Sequence, residues 1–246
     1  MNNTVCNMNN NTIVTPSQNK LSSTETSVPT DAVIFSFMLT YTILLTTATI
    51  TFIEAMRTNI PYARHVLNLE TCISLVAGYY YGIFIQKVKN TTTPINWNEI
   101  TQLRYVDWCI TTPMMLVTLC LVMGFNSKQK IHFKTILSII VLNYAMIGIG
   151  YFGELHQPYQ IFTMIGGFIP FFAMFYLIYK NFYGKEKKIL ANKVIFSIYL
   201  FVWSCYGIVY LLPEIYKNIC YNILDLIAKC LVGLGLWVYY AHIIYM

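Results

Sequence analysis

Charged side chains are scarce in this sequence. Lys, Arg, Asp and Glu make up only 11% of the 246 residues, and just ten residues are acidic, whereas 57% of the residues are hydrophobic. A soluble globular domain carries about 25% charged residues. This composition excludes an ordinary soluble enzyme or binding domain and predicts an integral membrane protein.

Long uncharged stretches fill most of the chain. A bilayer core of about 30 Å requires about 20 apolar residues in each spanning helix. The runs are long and lack the alternating pattern of a lipid-facing barrel. We therefore predict an all-α membrane protein, a seven-transmembrane helix bundle in the plasma membrane or an equivalent membrane, forming one domain over 31–246. The seven runs are 32–55, 62–86, 101–124, 132–153, 159–182, 192–212 and 218–245.

Residues 1–30 differ from the rest of the chain. They are polar, rich in Asn, Ser and Thr, and have no apolar core of the kind found in signal peptides. We predict a flexible extracellular tail. Two Asn-X-Ser/Thr sequons, at Asn2 and Asn10, are consistent with an outside location.

The basic residues between the runs predict the orientation. The positive-inside rule assigns the more basic set of connections to the cytoplasm, so the N-terminus is predicted outside and the C-terminus inside. The net charge of +6 then needs no nucleic-acid partner, and none is expected. The predicted inner set comprises Arg57, Arg64, Lys128, Lys130, Lys134, Lys180, Lys185, Lys187, Lys188 and Lys193, and the outer set comprises Lys20, Lys87, Lys89 and Lys217.

The seven cysteines do not form a metal-binding pattern. No CxxC or Cys/His spacing is present, so no metal site is expected. Most of the cysteines lie within apolar runs, where Cys behaves as a small hydrophobic residue. Only Cys6 and Cys220 are predicted on the oxidising side, and a disulfide between them, or between two copies of Cys6, remains open.

Two apolar runs contain ionisable residues, which are rare at membrane depth and usually functional. "LDLIAKC" places Asp225 and Lys229 four residues apart on one helix face. "LRYVDWCITTP" places Arg104, Asp107 and Thr111 on one face of the third run. A structural salt bridge between the two helices is one interpretation. The other is chemical, because a buried Lys can form a Schiff base with an aldehyde, and the nearby carboxylates could serve as its counter-ions.

The motifs "RYVDWCITTP" and "LDLIAK", together with "NYAMIGIG" and "WSCYGIVY", resemble those of the microbial (type 1) rhodopsins. The Asn-, Ile-, Lys- and Tyr-rich composition is similar to that of the viral branch. The resemblance covers all seven runs. It implies all-trans retinal bound covalently to Lys229, with Asp107 as primary counter-ion and proton acceptor and Asp225 as second carboxylate. It also implies that Arg104 is an outer gate cation and that Thr111 hydrogen-bonds Asp107. The retinal pocket would comprise Tyr105, Trp108, Thr112, Met115, Met146, Gly150, Trp203, Tyr206 and Tyr210.

The source of the returning proton is less clear from the resemblance. Thr118 stands where many outward pumps carry an acidic donor. If Tyr81 is the family's helix-two tyrosine, Glu70 lies eleven residues further inward on the same face, at the depth of Thr118, and could replace that donor. A one-residue shift of the alignment would turn Glu70 away by about 100°. Glu70 would then be an interfacial residue paired with Arg64 or His65.

The resemblance favours a light-driven outward proton pump, with a light-gated cation channel and a sensory photoreceptor as alternatives. Channel members carry a helix-two Glu and a helix-seven Asn where this chain has Ala77 and Cys230. Glu70 and Glu54 are the remaining acidic candidates for a cation path. A sensor would require a separate partner protein.

Retention of both aspartates argues against chloride pumping and inward proton pumping by resemblance. Outward release is expected to involve Glu214 or Glu99. No enzymatic activity is expected. The expected partners are the lipid bilayer, protons or small cations, and further copies of the chain in a homo-oligomer.

Overall fold

The computed structural model describes residues 30–89, 95–183 and 189–244, and over these ranges the chain forms a bundle of seven helices. The last helix, α7, has an α-helical segment at each end and a π-helical turn over Leu226–Leu231. The all-α prediction is confirmed. The predicted tail, its two sequons and Cys6 lie outside the described residues. The helices are α1 Thr30–Arg57, α2 Pro61–Lys89, α3 Trp97–Asn126, α4 Phe133–Leu155, α5 Gln160–Ile178, α6 Leu190–Val209, and α7 with its segments Glu214–Asp225 and Val232–Ile244.

Six of the seven helices are long and apolar enough to cross a membrane. The exception is α2, which carries Arg64 and His65 near its start and Lys87 and Lys89 near its end. The protein is therefore an integral multi-pass membrane protein in which α2 completes the bundle. The predicted runs match the helices closely, although α7 begins at Glu214, four residues before the run that predicted it.

Local sequence explains several helix ends. Asn96 caps α3 by accepting a hydrogen bond from the Glu99 backbone N–H. Pro61 occupies the first position of α2, where its missing N–H costs nothing. Pro213 immediately precedes α7. These residues fix where α2, α3 and α7 enter the bundle, and these three helices supply the charged residues of its interior.

The polarity of the bundle is reversed relative to a soluble protein. Large apolar side chains such as Phe35, Phe133 and Phe201 are exposed on the outside, where the lipid would cover them. The interior holds apolar clusters and buried charged residues, including Arg104 and Lys229. More than half of the spanning windows of α3 and α7 are buried, 61% and 56%, against 22–33% for α1, α4, α5 and α6. The candidate site lies between these two central helices.

Candidate functional site: a buried lysine between two aspartates

Lys229 lies in the interior of the bundle and faces two carboxylates. Its Nζ is 2.8 Å from Asp107 Oδ2 on α3 and 3.4 Å from Asp225 Oδ2 one turn earlier on α7. All three side chains are at most 1% exposed. A buried cation is accommodated only when it is paired and hydrogen-bonded, so the two aspartates account for a lysine at this depth.

The two aspartates differ in their remaining contacts. Asp225 accepts hydrogen bonds from Tyr81 Oη at 2.9 Å and Tyr206 Oη at 2.6 Å. Asp107 Oδ1 is buried and has no hydrogen-bond partner among the described residues. Thr111 hydrogen-bonds Asp107, as the resemblance implied, through the main chain: its hydroxyl donates to the Asp107 carbonyl at 2.8 Å, as a helical Thr commonly does. Asp107 therefore keeps a free acceptor beside the lysine.

Arg104 extends the charged site toward the predicted outer end. Its Nη1 lies 3.6 Å from Asp225 Oδ2, and its Nη2 donates to Asn222 Oδ1 at 2.8 Å and Asn218 Oδ1 at 3.1 Å. The guanidinium carbon lies 5.1–5.7 Å from the ring centres of four aromatic residues, within cation–π range. These residues are Phe37, Tyr81, Phe84 and Tyr221.

Asn218 and Asn222 were not predicted as site residues, although their spacing carried the signal. Positions 218, 222, 225 and 229 repeat at intervals of four, three and four residues, so they share one face of α7. Asn222 also donates from Nδ2 to Ser36 Oγ on α1 at 2.9 Å and accepts from Tyr81 Oη at 3.0 Å. One buried amide thus joins α1, α2, α3 and α7.

An apolar cavity extends from Lys229 toward α4, α5 and α6. All nine predicted pocket residues line it. Its lining is mainly aromatic and aliphatic; Thr112 and Thr163 contribute hydroxyls, and Asp225 contributes a carboxylate beside Lys229. Prediction missed part of the wall from α4, α5, α6 and α7: Ile147, Thr163, Met164, Gly167, Phe168, Phe171, Gly207 and Tyr221.

Glu70 occupies a second buried polar position, between the lysine and the predicted inner end. It is 1% exposed, and a Cβ built on Gly233 of α7 would lie 3.0 Å from its Oε2. It pairs with neither basic neighbour of the interfacial interpretation: Arg64 donates to the Thr58 carbonyl at 2.8 Å, and Glu70 forms no ion pair among the described residues. Tyr81 faces Asp225, which supports the helix-two alignment that turned Glu70 inward.

One lysine assigned to the outer connections lies inside a helix. Lys217 is in the first turn of α7, is 2% exposed and pairs with Glu154 at 2.9 Å and Glu214 at 2.7 Å. Counting charges in predicted loops treats every such lysine as exposed. It could not show that α7 begins at Glu214 and buries Lys217. Glu99, the other release candidate, pairs on the surface with Lys87.

Together, these features define a seven-helix membrane protein with a buried, ion-paired lysine beside an apolar cavity. The model for the family described as bacteriorhodopsin-like protein matches residues 32–244. The chain belongs to this family, the microbial rhodopsins, whose members bind retinal.

Individual relatives agree with this assignment. Bacteriorhodopsin of Halobacterium salinarum is 27% identical over 202 residues, covering 75% of this chain and 74% of that protein. A green-light absorbing proteorhodopsin of a gamma-proteobacterium is 22% identical over 223 residues, covering 82% of this chain and 84% of that protein. The crystal structure of viral rhodopsin OLPVRII is similar with a TM-score of 0.78 and 38% identity, covering 86% of this chain and 98% of that one. The predicted likeness to the viral branch is thereby confirmed.

The residues present fit retinal. The cavity is long and apolar and ends at a single amine, as a hydrophobic polyene with one reactive carbonyl requires. At Gly150 a Cβ would lie 3.1 Å from Tyr105 Oη, so the missing side chain leaves room beside the Tyr105 hydroxyl in the cavity wall. The two carboxylates at the closed end would balance a cation formed there.

Proposed function

We propose that the protein is a light-driven outward proton pump that carries all-trans retinal covalently on Lys229. The observation that carries this proposal is the asymmetry between the two aspartates. Asp107 Oδ2 lies 2.8 Å from Lys229 Nζ while its Oδ1 has no partner among the described residues, whereas Asp225 is held by two tyrosine hydroxyls and Arg104. Asp107 is the carboxylate better prepared to take a proton.

The chain provides the parts of a directed proton transfer. Retinal, when bound, supplies a conjugated carbonyl that condenses with the Lys229 amine and changes shape on absorbing light. Lys229 Nζ then gives its proton to Asp107, the nearer carboxylate. Asp225 stays ionised because Tyr81 and Tyr206 donate hydrogen bonds to it and Arg104 supports its charge.

Glu70 is proposed as the group that returns a proton to Lys229 from the inner side. Its carboxyl is buried without a cation, an environment that accommodates the neutral acid better than the carboxylate. It lies against Gly233, which is four residues beyond Lys229 and about 6 Å further along the helix axis. Thr118, which faces Glu70 from α3, has no proton to give at neutral pH.

Outward release is proposed at Glu214 rather than Glu99. Asn218 accepts from Arg104 and donates to the Glu214 main-chain carbonyl, so the network around Arg104 ends beside Glu214. Glu214 is 31% exposed and retains a buried Oε2 without a partner among the described residues. Glu99 shares no hydrogen bond with that network in the described part of the chain and instead pairs with Lys87 at the surface.

A light-gated cation channel is the second candidate, and one observation favours it. Thr47 on α1 and Ser74 on α2 have buried hydroxyls without hydrogen-bond partners in the described residues, and the buried Thr118 hydroxyl on α3 faces Glu70. Buried polar groups of this kind are usually satisfied by water. A continuous water file along them would be a cation path, whereas isolated waters would serve only as proton relays.

Photocurrent under voltage clamp distinguishes the two. A pump gives outward current at 0 mV with symmetric solutions, follows protons and does not reverse with the cation gradient. A channel gives current that reverses and follows the gradient. Light absorption without current would favour a sensor and contradict both transport proposals.

Two proposals concern the remaining expectations. We propose that the protein transports protons without chemical turnover of a substrate, so it is not an enzyme. We also propose that it forms a homo-oligomer in the bilayer, on the basis of the family resemblance. Cross-linking in native-like membranes, compared with the monomer mass, tests the second point.

A further inference from the structure

Three carboxyl groups from other helices lie next to successive positions on one face of the inner half of α7. Lys229, Gly233 and Trp237 are four residues apart and lie on nearly the same face. Asp107 contacts the first of these positions, and Glu70 packs against the second. At the third, Trp237 Nε1 donates to Glu54 Oε2 on α1 at 3.4 Å. Glu54 therefore lies one helical turn further inward than Glu70.

A buried pair of hydroxyl groups joins α1 and α2 close in sequence to these two glutamates. Thr51 is three residues before Glu54 on α1, and Thr71 directly follows Glu70 on α2. Their hydroxyl oxygens are 2.8 Å apart and buried. A hydroxyl can accept one proton while donating another, so a hydroxyl pair is a suitable proton relay. Thr47, one turn further along α1, packs near the Glu70 carboxyl with its own hydroxyl unpartnered among the described residues.

Glu54 differs from Glu70 in its access to solvent. Its side chain is half-buried, whereas Glu70 is fully enclosed. Among the described residues Glu54 forms no ion pair, since Arg64 is engaged with the Thr58 carbonyl and Arg57 is exposed at the helix end. A carboxylate at the inner mouth that is not neutralised by a neighbouring cation can take a proton from the aqueous side.

We propose that Glu54 is the proton-entry group of the protein, which reloads Glu70 through the Thr51–Thr71 hydroxyl pair. This inference rests on the proposed function, in which Glu70 supplies the proton to Lys229. The transfer is balanced: one proton enters the Glu54 carboxylate from the inner solution, and one leaves it for the emptied Glu70 carboxylate by way of the hydroxyls. A purely structural role for Glu54, as the acceptor for the Trp237 indole, is the competing explanation.

Hydrogen–deuterium exchange of the Glu70 carboxyl in the retinal-free protein tests the route without depending on pumping. The C=O stretch of the protonated carboxyl is identified as the infrared band absent from Glu70→Gln. Its shift after transfer to D₂O then measures how fast Glu70 exchanges with the solution. We expect Glu54→Gln and Thr51→Val to slow this exchange about 100-fold, in keeping with the loss of a positioned proton-transfer group. Thr49→Val is the matched control, because Thr49 is exposed and bonds only to its own helix.

Two further variants separate proton entry from packing. Glu54→Asp keeps a carboxyl and is expected to restore the exchange rate, and Trp237→Phe removes the indole donor but keeps Glu54 and is expected to leave the rate unchanged. Slowing by Trp237→Phe as large as that by Glu54→Gln, or a wild-type rate in Glu54→Gln, overturns the entry role.

In the retinal-loaded protein, a pH-indicator dye then reports proton uptake after a flash. Glu54→Gln is expected to delay uptake while the first return of the proton to Lys229 keeps its rate, because Glu70 starts each cycle loaded. A failure of the donor proposal itself has a different signature. In that case Glu70→Gln leaves the return of the proton to Lys229 unchanged.

Discussion

Asp107 and Asp225 face the same Lys229 amine, yet within the described part of the chain only Asp225 accepts hydrogen bonds from further donors. Two carboxylates with identical chemistry are thereby given different tasks by their surroundings. Asp225, together with Arg104, Tyr81 and Tyr206, forms a fixed charged assembly. Lys229 is the cation nearest to Asp107. Protonation of Asp107 therefore costs less free energy than protonation of Asp225.

Replacing Lys229 by Ala is expected to abolish the visible absorption band, because no other amine lines the cavity among the described residues. The measurement is the absorption spectrum after addition of all-trans retinal to the purified protein. Lys217→Ala is the matched control, since Lys217 is equally buried on the same helix but pairs with Glu154 and Glu214 instead. A visible band that persists in Lys229→Ala would contradict the assignment of the attachment site.

Asp107→Asn is expected to shift the absorption maximum to the red and stop transport. The substitution removes the counter-ion charge nearest Lys229 Nζ, which lies at 2.8 Å, against 3.4 Å for Asp225. Spectra and photocurrents of the two Asn variants, recorded side by side, test this ranking. An unchanged colour in Asp107→Asn, with a red shift in Asp225→Asn, would make Asp225 the principal counter-ion.

Glu70→Gln is expected to slow the recovery of the dark spectrum after a flash by about 100-fold, as the loss of a positioned proton donor does in general. Azide should restore the rate, since a small diffusible acid can replace a missing donor. Gly233→Ala should also slow recovery, because the new Cβ would lie 3.0 Å from Glu70 Oε2 and displace the carboxyl. Gly235→Ala is the control, as a Cβ there meets nothing within 4 Å. Normal recovery in Glu70→Gln would exclude the donor role.

Asn222→Ala is expected to lower the free energy of unfolding by about 1–3 kcal/mol, because Arg104 and Tyr81 lose a buried acceptor. Thermal denaturation in detergent, followed by loss of the visible band, measures the change. Thr42→Ala, at an exposed position on α1 that bonds only to its own helix, should leave stability almost unaltered. Equal melting temperatures for Asn222→Ala and the parent protein would show that the amide does not hold the four helices together.

Much of this architecture could be predicted because a bilayer imposes a length and a polarity on each helix. The seven runs located the helices, and the i, i+4 spacing of Asp225 and Lys229 placed them on one face. The burial and the hydrogen-bond partners of individual polar side chains were harder to predict. The burial of Lys217 depends on where α7 begins, and the Thr111 hydroxyl binds its own helix rather than the neighbouring carboxylate. The partners of Asn218 and Asn222 required knowledge of which helices adjoin α7.

The orientation of Glu70 on α2 could not be predicted from the sequence alone. Adjacent tyrosines in "YYYG" allow two alignments of α2. They differ by about 100° in the direction of Glu70, toward the bundle interior in one and toward the membrane interface in the other. The fold selects one of them by packing Tyr81 against Asp225 and Asn222. Hydrophobic periodicity alone cannot distinguish the two alignments of α2, because both faces of the helix are apolar near these tyrosines.

The uneven burial of the helices bears on how far sequences with this fold can diverge. Only 22% of the spanning windows of α4 and α6 is buried, so most of their side chains would face lipid, where one apolar residue can replace another with little loss of packing. On α3 and α7, more than half of the positions touch other parts of the protein and are constrained in shape as well as polarity. Of the six helices compared, α3 and α7 therefore carry the largest share of positions at which a substitution must fit its neighbours. Apolar substitutions at lipid-facing positions of α4 and α6 should therefore be tolerated better than apolar substitutions at interior positions of α3 and α7.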